Sequence, residues 1–176
     1  MDLSDTTFMR ALEDRILVFD GGMGTSIQRY TLTADDFGGK EGCNEYLVLT
    51  RPSVIQEIHA SFFRAGCDAA ETDTFGASSI VLAEYALEGR VYEINKRAGE
   101  LAREVAHGFS TPTRPRYVIG SIGPTTKLPS LGHISYDAML ETLPIGVIHF
   151  PGSGIQDNLA DKARRLGIPV MKFGAA

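Results

Sequence analysis

The sequence predicts an α/β domain on a mostly parallel open sheet of about five strands, and three observations predict it. Short apolar runs ending in Gly, Asp or Thr alternate with stretches of helical periodicity, which is the rhythm of βαβ units. The chain has 176 residues, one ordinary domain's worth and short of the roughly 200–250 that a complete eight-stranded βα barrel needs. Its composition, 43% hydrophobic and 22% charged, supplies a real core and argues against disorder.

Each element is justified in turn. Ile16, Leu17, Val18 and Phe19 read as a first short strand, stopped by Asp20, Gly21 and Gly22. A polar, Gly-rich stretch over 31–44 follows, and Pro52 opens a helix on which Val54, Ile55, Ile58, Phe62 and Phe63 share one face until Gly66 ends it. Residues 69–72 read as a second strand running into Asp73, Thr74 and Phe75. Two helices, 77–86 and 91–107, break near Gly89, and residues 117–120 read as a third strand closed by Gly123 and Pro124. Ser135 caps a helix that Pro144 cuts off after about two turns. Strands at 146–150 and 169–173 flank a helix over about 155–166, with a strand order like that of flavodoxin.

Composition also excludes function classes. A net charge of −5 leaves no basic footprint for a nucleic-acid backbone. No apolar run approaches the ~20 residues of a membrane helix, and the acidic start lacks the layout of a signal peptide, so a cytoplasmic address is expected. Cys43 and Cys67 are too few for a disulfide framework and are not spaced as a metal pair. The charge is uneven: residues 1–143 hold 13 basic and 20 acidic side chains, residues 144–176 hold 4 and 2.

In parallel α/β folds ligands sit beyond the carboxyl ends of the strands, where loops carry function. Three such loops stand out: Asp20, Gly21, Gly22, Met23 and Gly24; Thr72, Asp73, Thr74 and Phe75; and residues 120–125. Glycines let backbone N–H groups approach an anion, while Asp20 offers a carboxylate to a cation. Together they suit an amino-acid zwitterion. The glycine spacing matches neither a dinucleotide fingerprint nor a phosphate loop.

These residues carry a resemblance. ILVFDGGMGT from Ile16, CNEYLVLTRPSVIQEIHASFFRAGCDAAETDTFGA from Cys43 and GSIGPTTKLPSLG from Gly120 closely resemble the N-terminal homocysteine-binding (homocysteine S-methyltransferase) domain of the cobalamin-dependent methionine synthases, over about residues 11–140. The resemblance implies a βα barrel that binds homocysteine and uses zinc to hold its thiolate for methyl transfer from methylcobalamin, giving methionine. It implies Asp20 at the substrate ammonium, Gly21, Gly22 and Thr74 at its carboxylate, and the loop containing Gly123 on the active face. Asp73 stands where the family often has Asn, which adds negative charge near the carboxylate position. The family's zinc thiolates have no counterpart here, and no metal site can be assembled from Cys43, Cys67, His59, His107, His133 and His149. The chain alone is therefore expected to be inactive and to bind neither zinc nor cobalamin, with homocysteine as its partner.

Residues 147–173, with IHFPGSGIQDNLADKARRLGIPVMKFG, resemble the end of Rossmann-like proteins of the SLOG superfamily, which implies a phosphate position at Gly152, Ser153 and Gly154. The expectation is one α/β domain over 1–176, with half a βα barrel over 1–143 and a Rossmann- or flavodoxin-like βαβ end over 144–176. Two alternatives stay open: a chimeric α/β fold without catalytic function, and a nucleotide-binding module.

Overall fold

A computed structural model describes residues 7–142, 147–149 and 170–172. The chain divides into two compact units, Ala11–Lys127 and a second formed by Met1–Arg10 with Leu128–Ala176.

The larger unit holds helices α2 (Met23–Ile27), α3 (Leu47–Thr50), α4 (Pro52–Ala65), α5 (Ser79–Leu82) and α6 (Val91–Phe109), and strands β1 (Ala69–Glu71) and β2 (Tyr117–Ile119); α1 (Thr7–Asp14) precedes them. Helix α4 begins and ends as its sequence dictates. Pro52 occupies the first turn, where no N–H is needed, and Gly66 stops the helix at φ 109°, its N–H donating to the carbonyls of Phe62 and Phe63. Val54, Ile55, Ile58 and Phe63 are buried on its inner face. There they meet α6, whose buried Ile94, Ala98, Leu101, Ala102 and Ala106 leave room for close packing through three small side chains. The rings of Phe63 and Phe109 stack at 5.8 Å.

Strands β1 and β2 pair in parallel, Ala69 opposite Tyr117 and Glu71 opposite Ile119. The first expected strand is reduced to an isolated parallel bridge between Phe19 and Ala69. The cause is visible at Val18, whose N–H donates to the Asp68 carboxylate (3.1 Å) in place of a ladder carbonyl, while its own carbonyl accepts from both Asp68 and Ala69. The order in this unit is therefore sequential, with β1 between the Phe19 segment and β2. That corrects the expected flavodoxin-like order, in which the first strand lies between the next two, and it is the neighbour relation of a βα barrel.

The expected helix over 77–86 is shorter. The Ser78 hydroxyl caps α5 by accepting from the Val81 N–H, and a 3-10 turn over 83–85 ends at Ala86, φ 55°, a left-handed conformation that halts a helix.

In the second unit, α7 (Tyr136–Glu141) starts with the Ala138 N–H donating to the Ser135 hydroxyl (3.1 Å), as the sequence predicts. Strands β3 (Val147–His149) and β4 (Val170–Lys172) pair in parallel. Among the described residues the strands form two two-stranded parallel pairs, with isolated bridges at Phe19–Ala69 and Thr111–Arg114, and the expected sheet of about five strands is not seen. The expected helix over 155–166, and Gly152, Ser153 and Gly154, lie outside the described residues. Among the described residues no helix is long and apolar enough to cross a membrane.

Candidate active site

Beyond the carboxyl ends of β1 and β2 lies a cavity of ≈ 480 Å³, within the range of small-molecule sites. Its wall comes from four segments: Asp20, Gly21, Gly22, Met23 and Gly24 after the Phe19 bridge; Asn44 and Glu45 before α3; Glu71, Thr72, Asp73 and Phe75 at the end of β1; and Ser121 after β2. Four of these residues are carboxylic acids and none is Lys or Arg.

Asp20 is positioned by its hydrogen bonds to β1. Its N–H donates to the Ala69 carbonyl (3.0 Å), and its Oδ1 accepts from the Glu71 N–H (2.9 Å). Burial, with the nearby Glu71 charge adding to it, pushes the carboxyl up to about 6. The N–H groups of Gly21 and Gly22 have no acceptor among the described residues. A Cβ on Gly22 would stand 2.7 Å from the Thr25 hydroxyl oxygen, which in turn donates to the Gly22 carbonyl (2.9 Å).

Asp73 is 4% exposed, and its Oδ2 is buried without a hydrogen-bond partner. Burial first, and then the Glu45 charge, raise its carboxyl to about 7. Glu45 is itself fixed, with Oε1 accepting from the Gly76 N–H (2.7 Å). A Cβ at position 76 would fall 2.7 Å from that oxygen, so a glycine there admits the carboxylate. Glu71 accepts from the Ser121 hydroxyl (2.9 Å).

The remaining expected residues sit close by in other capacities. Thr74 is buried, its hydroxyl 2.6 Å from that of Thr72 and donating to the Ser121 carbonyl (2.7 Å), and it does not line the cavity. Its hydroxyl ties the loop after β1 to the loop after β2. Gly123 is also outside the wall. Its N–H donates to the Phe75 carbonyl (2.8 Å), and a Cβ there would stand 2.5 Å from the Phe75 ring, so this glycine serves close packing. Asn44, Glu45 and Glu71 are not named as site residues by the sequence reading, and Ser121 enters it only as a member of the 120–125 loop. Each adjoins a motif residue, and adjacency was the only signal available, because a loop residue's direction follows from no periodicity.

The described residues do not fit zinc. No three His, Cys, Asp or Glu side chains among them are grouped to hold a metal ion. Cys43 and Cys67 are buried, and burial pushes each thiol up to about 11, whereas zinc takes thiolates, usually within a set of four ligands. His59 is fully buried in α4, and both its ring nitrogens are without partners.

Comparison with known proteins accords with this arrangement. The chain is 48% identical over 134 residues to methionine synthase of Mycobacterium tuberculosis and 47% identical over 132 residues to that of Mycobacterium leprae, covering 76% and 75% of this chain. It spans only 11% of the length of each relative. The fold resembles crystal structures of the homocysteine methyltransferase MmuM from Escherichia coli. The metallated form aligns with TM-score 0.54 at 23% identity, over 74% of this chain and 42% of that one. The oxidised form aligns with TM-score 0.63 at 20% identity, over 95% and 65%. The family model described as Homocysteine S-methyltransferase matches residues 17–144, more than half of the sequence and the whole of the cavity wall, so the chain belongs to the homocysteine S-methyltransferase family.

Proposed function

We propose that this chain forms the amino-acid-gripping part of a homocysteine S-methyltransferase site, and that methyl transfer to the homocysteine thiol needs metal-binding groups its described residues do not supply. The observation that carries this reading is Asp20, a half-buried carboxylate beside Gly21 and Gly22 N–H groups that have no acceptor among the described residues, in a cavity whose described lining is acidic and holds no basic side chain. A carboxylate held up by burial gains most from an incoming cation, because the ligand's charge replaces the hydration that burial removed. The α-ammonium therefore goes to Asp20. The Gly21 and Gly22 N–H groups face the α-carboxylate, and Thr74 holds the two loops in register without touching the ligand.

Calorimetry with L-homocysteine, with and without zinc, tests the reading. Binding without zinc is expected, with at least a tenfold loss in Asp20→Ala, about the worth of one hydrogen bond to a charged group. Affinity is also expected to rise as pH rises through about 6, where Asp20 ionises. Affinity unchanged in Asp20→Ala refutes the assignment of the ammonium, and methyl transfer by the chain alone refutes its inactivity. The parallel pairing of β3 with β4 supports a Rossmann-like βαβ end as a second proposal. Its test is a thermal shift with nucleotide that Gly154→Glu abolishes.

A further inference from the structure

We propose that Asp73 is a specificity-determining residue of this cavity: its buried, unpartnered Oδ2 carries a proton and donates it in a hydrogen bond to the carboxylate of the bound amino acid. The inference rests on the amino-acid reading of the cavity and goes beyond it by explaining how an acid-lined pocket admits an anionic group.

Asp73 lines the cavity yet is 4% exposed, and no donor reaches its Oδ2. An ionised oxygen in that position would be unsolvated and unpaired, which is among the costliest placements a polar atom can have. Nothing nearby offsets it. The groups facing Asp73 are Glu45 and Cys43 from the turn before α3, with Asp20 and Glu71 across the cavity. All are acids, and among the described residues no Lys or Arg lines the wall. The proton is therefore held on Asp73 up to the neutral range, in agreement with the upward displacement of this carboxyl to about 7, where half of the population still carries it.

A neutral carboxylic acid is a donor, and its partner must come from outside the wall. Glu45 already accepts from Gly76 through Oε1, and its Oε2 faces the Cys43 sulfur at 4.0 Å. A ligand carboxylate accepts from the Asp73 O–H and at the same time stabilises the proton there. Kept neutral by its surroundings, a buried acid does what a basic residue would do, but only while it holds its proton. Above the Asp73 titration the same side chain repels the ligand carboxylate.

The test compares L-methionine, which carries both charged groups and no titrating thiol, with 3-(methylthio)propylamine, which lacks the carboxylate. Calorimetric affinities are measured from pH 5.5 to 8.5 for the wild type and Asp73→Asn. For the wild type, L-methionine affinity is expected to fall by up to tenfold per pH unit above about 7, as linkage to one proton requires. Binding at pH 8 should take up a proton, read from the dependence of the heat on buffer ionisation enthalpy. In Asp73→Asn, which keeps a donor that cannot ionise, both the fall and the proton uptake vanish. The amine shows neither effect in either protein. An L-methionine profile flat from pH 7 to 8.5, or a fall that survives in Asp73→Asn, overturns this inference alone. Absence of binding by both ligands at every pH overturns the amino-acid reading and this inference with it.

Discussion

The two ends of strand β1 carry the same residue type in opposite conditions. Asp68, just before the strand, and Asp73, just after it, are 2% and 4% exposed. Asp68 is surrounded by donors: Arg15 at 3.0 Å, Arg114 at 3.4 Å, Arg116 at 3.6 Å and the Val18 N–H at 3.1 Å. The hydrogen bond from Arg15 is the largest influence holding its carboxyl down, at about 2. Asp73 has no such partner and is pushed up to about 7. A buried carboxylate ringed by cations holds backbone together, whereas one left without countercharge is a site waiting for a ligand. The amino end of β1 is held by ion pairs, while its carboxyl end opens on the acidic cavity.

The strongest way to break this contrast is Asp68→Ala. It leaves Arg116 buried with its carboxylate partner gone and frees the Val18 N–H, so a loss of about 3 kcal/mol is expected in urea unfolding. The sign with pH follows from the depressed value. Asp68 contributes its full stabilisation above the ordinary carboxylate range, and the contribution is lost as pH falls through about 2.

Asp73→Asn tests the other end and should act in the opposite direction. Folded Asp73 titrates near 7, above its ordinary value of 3.8, so between those values the folded state binds more protons and the wild type loses stability as pH rises. The variant lacks that loss. It is expected to unfold at higher urea than wild type at pH 8, by a margin of a few kcal/mol, and to match wild type near pH 4.

His59, buried in α4, sharpens the point that isolation and not charge sign sets the outcome. Burial lowers its imidazole to about 4 from the ordinary 6.5. The unfolded chain therefore takes up the proton first, and stability is lost as pH falls from 6.5 through about 4. His59→Leu should flatten that acid slope, gaining about 2 kcal/mol over wild type at pH 5, as followed by thermal unfolding between pH 5 and 7.

Much of this was legible locally. Pro52 and Gly66 bound α4 because ring geometry and a positive φ act within a single turn, and the apolar spacing of Val54, Ile55 and Ile58 names the face that is buried. The motif at Asp20, Gly21 and Gly22 pointed to the cavity for the same reason: a strand end followed by glycines is a backbone statement. The first strand was misjudged because its hydrogen bonding is settled by a side chain, Asp68, fifty residues away from Val18. The sequence reading places Thr74 at a ligand carboxylate, and nothing local announces that its hydroxyl donates to the Ser121 carbonyl, 47 residues on.

The sequence by itself determined where α4 starts and stops, where α6, β1 and β2 fall, and that carboxylates and glycines gather at the strand ends. These follow from sterics and periodicity over a few residues. Only the tertiary structure decided that Asp68 lies among arginines while Asp73 lies among acids, that Glu45 turns into the cavity, and that the backbone N–H groups at Gly21 and Gly22 are left open. A side chain's charge state and freedom depend on what the distant chain brings within a few ångströms of it, and no local pattern encodes that.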